Sequence, residues 1–284
     1  MSITLEEAIL DIPLGRLHAL RGGRAGAAKV LALHGWLDNA ASFVPLAPYL
    51  GDIELVALDL PGHGRSVHLP LGAHYTFEVA VHHALDAADA LGWDSFRLLG
   101  HSMGAGIASL VAASAPERIE KLVCIEALGG LSDTPNNTAK RMREAITASR
   151  TLRDKPLRVF PSAEPAIHAR MRANHMSEPV ARLIVERGIR PADGGWEWSS
   201  DQRLTVPTFM RPVDAQIDNL VAGIECPTRV IFADPAQVYL PDEIRRRYAA
   251  CLPDGELFVM PGTHHLHMEA PKDVAKVIGD FLAS

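Results

Sequence analysis

The chain has 284 residues, of which 34 are acidic and 28 basic, giving a formal net charge of −6 with 48% hydrophobic and 22% charged residues. These proportions predict a soluble globular protein and exclude a disordered one, while 22 Gly and 20 Pro without a repeat exclude a collagen-like chain. An acidic balance also lacks the basic field a nucleic-acid binder needs, and the length suits one large domain or two small ones.

The opening stretch, Met1 to Glu7, has no basic segment followed by an apolar run, so no signal peptide is expected. No stretch is long and apolar enough to suggest a membrane span. The three cysteines, Cys124, Cys226 and Cys251, are an odd number without metal-like spacing and read as reduced thiols of a cytoplasmic protein.

In chain order, two strands around Ile3 to Ile12 and Arg16 to Leu20 read as an antiparallel edge. Apolar runs then follow at Lys29 to Leu33, Glu54 to Leu58, Phe96 to Leu99, Leu122 to Ile125, Thr228 to Ala233 and Leu257 to Met260. Helical patterns fall between several of them. Phe77, Ala80, Val81, Ala84, Leu85, Ala88 and Leu91 trace one helix face, and Pro271 opens a last helix carrying Val274, Val277, Ile278 and Phe281. This alternation predicts an α/β fold, a mostly parallel doubly wound sheet of about eight strands.

The alternation breaks after Ile125, and about a hundred residues pass before the next strand, too many for a structureless loop. Helical segments around Ala139 to Leu152 and Pro179 to Arg187, then a turn-rich piece from Pro191 to Trp198, predict an inserted helical cap over 130–222, with 1–129 and 223–284 forming the core. Residues 135 to 220 hold 14 Lys and Arg against 10 Asp and Glu, a balance read as solvated helix faces.

The most specific signal is Gly100-His-Ser-Met-Gly104. It follows the apolar strand ending at Leu99 and precedes a small-residue helix, which is G-x-S-x-G in the strand, turn, helix context that makes the serine a nucleophile. A side chain at Gly100 or Gly104 would collide where strand and helix backbones meet. Together with Leu33 to Asp38, Asp59 to Ser66 and a late His264, this motif appears in the order of the α/β-hydrolase superfamily, which the chain resembles across nearly its full length. More narrowly it resembles the serine hydrolase-like proteins, through Gly35-Trp-Leu-Asp-Asn-Ala-Ala-Ser42, Leu91-Gly-Trp93, Ile125-Glu126, Ala169-Arg-Met-Arg-Ala-Asn174 and His264-His-Leu-His-Met-Glu269. The resemblance implies the α/β-hydrolase fold and a serine mechanism, and says little about substrate.

A serine hydroxyl needs a histidine to take its proton. His264 is preferred, with Glu269 and Pro271 at the family's usual spacing, and His265 is the alternative. His265, His267, His101 and His63 are otherwise read as packing and hydrogen-bonding residues. A metal site from His264, His265 and His267 is not expected, because no acidic or cysteine cluster accompanies them, and no cofactor is expected. The histidine in turn needs a buried carboxylate. Many superfamily members carry that acid after the strand at Thr228 to Ala233, where only Asp234 is near. Glu126, closing the strand at Leu122 to Ile125, is preferred and Asp234 is the alternative, whereas Asp242 and Glu243 read as first-turn helix charges.

The expected oxyanion donors are the N–H of Met103, after the nucleophile, and, through the resemblance, the N–H of Trp36. Trp36, Asp38 and His101 are the candidate substrate contacts, with a loop-stabilising role weighed for Asp38 and a core role for the Trp36 ring. Asp59 to Ser66 lacks the phosphate-loop pattern and reads as scaffolding. The expected activity is hydrolysis of small to medium carboxylic esters by a monomer or homodimer. The sequence leaves lactones, thioesters and carbon–carbon substrates open, and also a slow-turnover ligand receptor.

Overall fold

A computed structural model describes residues 2–152 and 156–284, so residues 153–155 of the expected cap lie outside it. The chain opens with the hairpin β1 (Leu5–Ile12) and β2 (Gly15–Gly23), followed by β3 (Ala28–Leu33), β4 (Ile53–Leu58), α1 (Phe77–Ala90), β5 (Phe96–His101), α2 (Met103–Ser114) and β6 (Ile119–Ile125). Then come α3 (Thr138–Leu152), β7 (Val159–Phe160), α4 (Glu164–Asn174), α5 (Glu178–Gly188), β8 (Ile189–Ala192), β9 (Gly195–Trp198) and α6 (Asp214–Ala222). The last elements are β10 (Thr228–Asp234), α7 (Asp242–Ala250), β11 (Gly255–Pro261), α8 (Leu266–Glu269) and α9 (Pro271–Ile278).

Eight strands form one sheet in the order β1-β2-β4-β3-β5-β6-β10-β11. Only the β1-β2 and β2-β4 pairs are antiparallel. Side chains alternate between two cores: Leu31, Leu33, Val56 and Leu58 pack under α1 and α2, while Val30, Ala32, Leu55 and Ala57 pack on the opposite face with Val274 and Ile278 of α9. All eight of these strand residues are fully buried, each worth roughly 1.5–3 kcal/mol of transfer free energy for the larger side chains. Both faces being covered explains why these strands read as continuous apolar runs.

β3 and β5 are sheet neighbours although β4 lies between them in sequence, so the strand order reverses there and a crevice opens at their carboxyl ends. The stretch between β6 and β10 differs from expectation in two ways. It carries a second sheet, β7-β9-β8, where turns and helices alone were expected. In addition α6, inside the expected cap range, packs Ile217 and Val221 into the main core beside α2. It serves as the crossover from β6 to β10, so the outlying part ends before Asp214. That part has its own small core of Phe160, Ile167, Val180, Ile184 and Val185.

Candidate active site

Ser102 is the residue between β5 and α2, with φ 50° and ψ −117°. A Cβ on Gly104 would overlap the Leu33 carbonyl and one on Gly100 the Ala105 backbone, so glycine alone lets α2 start this close to the sheet. The Ser102 N–H is fixed by the Ile125 carbonyl at 2.8 Å. Four non-glycine residues among those described have positive φ, and three surround this point: Leu37, Ser102 and Glu126. Such conformations cost on the order of 1–3 kcal/mol each and cluster where function requires them.

His264 lies three residues past β11. Its Nδ1 is 2.9 Å from Glu126 Oε2 and its Nε2 2.9 Å from Ser102 Oγ. A carboxylate only accepts, so the proton sits on Nδ1, and Nε2 presents its lone pair to the serine hydroxyl. Burial lowers the His264 pKa, partly offset by the Glu126 hydrogen bond, which keeps the ring neutral at pH 7 and able to accept a proton. Glu126 Oε1 accepts the Ala233 N–H at 2.5 Å, and the buried Arg245 guanidinium stands 3.7 Å away. Asp234, the last residue of β10, is exposed, and of the two candidate acids it is Glu126 that meets His264.

The other candidates fall into two groups. Met103 follows Ser102 in the chain and Trp36 borders the same cavity, and neither backbone N–H makes a turn or loop hydrogen bond among the described residues. The Trp36 ring is half exposed at the mouth of the site, its Nε1–H donating to the Leu204 carbonyl at 2.9 Å. Asp38 and His101, by contrast, have essentially no exposed side chain, although both border the cavity over Ser102. Asp38 pairs with Arg170 of α4 and accepts from His265 Nε2 at 3.2 Å. His101 Nε2 donates to the His264 carbonyl at 2.8 Å. His267 meets Ser42 Oγ at 2.7 Å, and His63 donates to the Pro61 carbonyl at 3.1 Å. His34 Nε2 accepts the Leu60 N–H at 3.0 Å while Nδ1 donates to Gly35, tying the loops after β3 and β4 together.

Asp38, His101 and His265 each bring a ligand atom within 4.8 Å of the others, an acid and histidine grouping that the sequence did not reveal. Arg170 already neutralises Asp38, so a divalent ion would enter beside a buried guanidinium, and the set is better suited to hydrogen bonding. Three further residues were missed: Arg245 beside Glu126, Arg170 beside Asp38, and Tyr239, whose hydroxyl is 3.5 Å from His264 Nδ1. Arg170 lies within the quoted stretch Ala169 to Asn174. Nothing local marks Arg245 or Tyr239.

A cavity of about 580 Å3 opens over Ser102 and His264. Leu60, Phe77, Ile107 and Leu128 line it from the core, and Leu204 and Val206 from the β6–β10 stretch. It suits an apolar chain leading to one polar reacting group.

With this geometry in view, the sequence comparison is decisive: the profile of the alpha/beta hydrolase fold matches residues 29–268. The chain belongs to the α/β-hydrolase family. Within the family it groups with the serine hydrolase-like proteins: it is 31% identical to one from Dictyostelium discoideum over 92% of this chain and 76% of that protein. One from Danio rerio is 30% identical over 96% and 87% of the two chains. Among solved structures, a hypothetical protein of Pseudomonas aeruginosa PAO1 superposes with a TM-score of 0.92 at 38% identity, covering all of both chains. No helix among the described residues is long and apolar enough to cross a membrane.

Proposed function

We propose that this α/β-hydrolase is a serine carboxylesterase acting on small to medium carboxylic esters. The observation that carries the reading is the unbroken chain Ser102 Oγ, His264, Glu126, with both hydrogen bonds at 2.9 Å. Ser102 Oγ attacks the ester carbonyl as its proton passes to His264 Nε2, and Glu126 stabilises the imidazolium. The N–H groups of Trp36 and Met103 hold the tetrahedral oxyanion. Collapse breaks the bond to the alcohol, which leaves with the proton from His264. Water, deprotonated by His264, then attacks the acyl-enzyme and releases the carboxylic acid with Ser102 restored.

In this reading the outlying β6–β10 residues are a cap that roofs the acyl pocket with Leu204 and Val206. The substrate is a small molecule, and three unpaired cysteines suit a cytoplasmic protein. The test is a fluorophosphonate probe combined with p-nitrophenyl esters of graded acyl length, lactones and thioesters. Adduct formation at Ser102 and multiple turnovers, both absent in Ser102→Ala, are the expected result. No adduct on the folded protein would overturn the serine mechanism, a single turnover would indicate a receptor, and preference for a thioester or lactone would replace the ester as substrate.

A further inference from the structure

Asp38 is 1% exposed, and each of its contacts leads to a reacting group. One oxygen is held by Arg170. The other accepts from His265 Nε2, and His265 adjoins His264. The same oxygen lies 3.6 Å from Nδ1 of His101, which adjoins Ser102 and holds the His264 carbonyl through Nε2. The Asp38 N–H closes a turn on the Gly35 carbonyl at 3.1 Å, enclosing Trp36 and Leu37. A Cβ on Gly35 would stand 2.9 Å from both Asp38 Oδ2 and His101 Nδ1, so the loop sits directly on this pair.

The loop is held in a conformation it would not keep alone. Leu37 has φ 57°, a left-handed geometry costing roughly 1–2 kcal/mol for a side chain of this kind. Two residues of the turn and the one after it are tied to the β6–β10 stretch: Trp36 to the Leu204 carbonyl, Asp38 to Arg170, and Asn39 Nδ2 to the Ile184 carbonyl at 2.7 Å. Of these only the Asp38 tie also reaches the histidines. Arg170 is the one cation facing Asp38 at neutral pH among the described residues. Burial holds His101 at about 4 and His265 well below its usual value, so both are uncharged. Arg170, lowered to about 10, keeps its charge.

We infer that Arg170, acting through Asp38, is a positioning residue: it locks the oxyanion loop and the His264 loop in register with Ser102, so that α4 sets the rate of the chemical step as well as the shape of the pocket. The inference rests on the serine-hydrolase reading above. The loss expected on removing the lock is set by geometry. A displacement near 1 Å at the reacting atoms costs about 100-fold in rate.

The experiment compares Arg170→Met, Arg170→Lys, Asp38→Asn and the double variant Asp38→Asn/Arg170→Met. It measures kcat and KM separately, the rate of fluorophosphonate labelling, the melting temperature, and the downfield proton resonance of His264 Nδ1–H in the resting protein. Arg170→Met, Asp38→Asn and the double variant should all lose about 100-fold in kcat and in labelling rate with KM little changed, because the pair acts as one unit. The His264 resonance should broaden or shift in each, and Arg170→Lys should restore much of the loss. Recovery in the double variant would overturn the inference, since it would trace the defect to an unpaired buried carboxylate. An unchanged kcat and resonance beside a lowered melting temperature would overturn it as well. If Arg170→Met fails to fold, Arg170→Lys and Asp38→Asn carry the same comparison. A wild-type protein that is neither labelled nor active would defeat the hydrolase reading instead, with the resonance still deciding the positioning role.

Discussion

At the carboxyl edge of the sheet, side chains are aimed by main chain. Ser102 and Glu126 stand at the ends of β5 and β6, and their N–H groups are bonded to Ile125 and Ile231 at 2.8 and 2.9 Å. The stretch between β6 and Asp214 is built from weaker parts. Only Ala145 of α3 is fully buried, and α4 and α5 share a small apolar core with β7. Polar ties join it to the loops and α8 at the sheet's carboxyl edge, Arg170 to Asp38, Arg187 to Asp59 at 2.9 Å and Ser177 N–H to Glu269 at 2.7 Å, beside the apolar contact of Met268. A parallel ladder cannot shift one residue without breaking its neighbours' bonds, whereas side-chain pairs and a small core yield by degrees. Substitutions of the hydrogen-bonded residues at the edge should therefore act nearly all-or-none, and those in the β6–β10 stretch should be graded.

The largest contrast is expected at Ser102. Ser102→Ala should reduce kcat about a millionfold without unfolding the protein, read by single-turnover ester hydrolysis and thermal melting. Glu126→Gln comes next. It removes the charge that stabilises the imidazolium and should lower kcat about 10⁴-fold, while Asp234→Asn, outside the hydrogen-bonded chain, should stay within about twofold of wild type. The reverse ranking would mean the wrong acid has been named. The acid limb of kcat/KM should have its midpoint below pH 6.5, because burial depresses His264. In Glu126→Gln it should move lower still, since both of the carboxylate's influences raise that pKa.

Acid should also loosen the edge as a whole. Burial holds His34 and His63 at about 3 and His101 at about 4, against 6.5 for an ordinary imidazole. Between those values the unfolded chain binds more protons than the folded one, so the stabilisation is complete above pH 6.5 and is lost as pH falls toward the folded values. Each such ring contributes a slope of up to about 1.4 kcal/mol per pH unit. Melting temperatures measured from pH 7.5 to 5 should fall steadily below 6.5, and a flat profile would show that these rings are not buried neutral.

Modest effects are expected where the β6–β10 stretch lines the cavity. Leu204→Ala and Val206→Ala should shift the preferred acyl length and raise KM severalfold while leaving kcat for the best ester nearly unchanged, as a loss of uniform binding requires. An unchanged acyl-length profile in both would remove the cap as the specificity element and blur the contrast with the sheet edge.

The sequence alone determined the inner strands β3, β4, β5, β6 and β10, because burial on two faces writes each as an apolar run. It also determined the place of Ser102, because the Gly100 to Gly104 turn needs residues without side chains wherever it occurs. Its local signals were weaker between β6 and β10. The strands β7, β8 and β9 are two to four residues long, too short for a period to show. α4 mixes polar and apolar residues without a marked apolar face, and α6 has an apolar face that gains meaning only against α2. Along the chain Glu126 is preferred over Asp234, yet each closes an apolar strand and the distance of neither to His264 can be read there. Parallel pairing supplies that distance: Ile125 lies level with Ile231, so Asp234 stands three residues further along β10 than the end of β6, while the loop after β11 returns His264 onto Glu126. The contact of Arg170 with Asp38 likewise joins residues 132 positions apart. Such pairings are properties of strand order and register, which fix distances between elements, and only the tertiary structure supplies them.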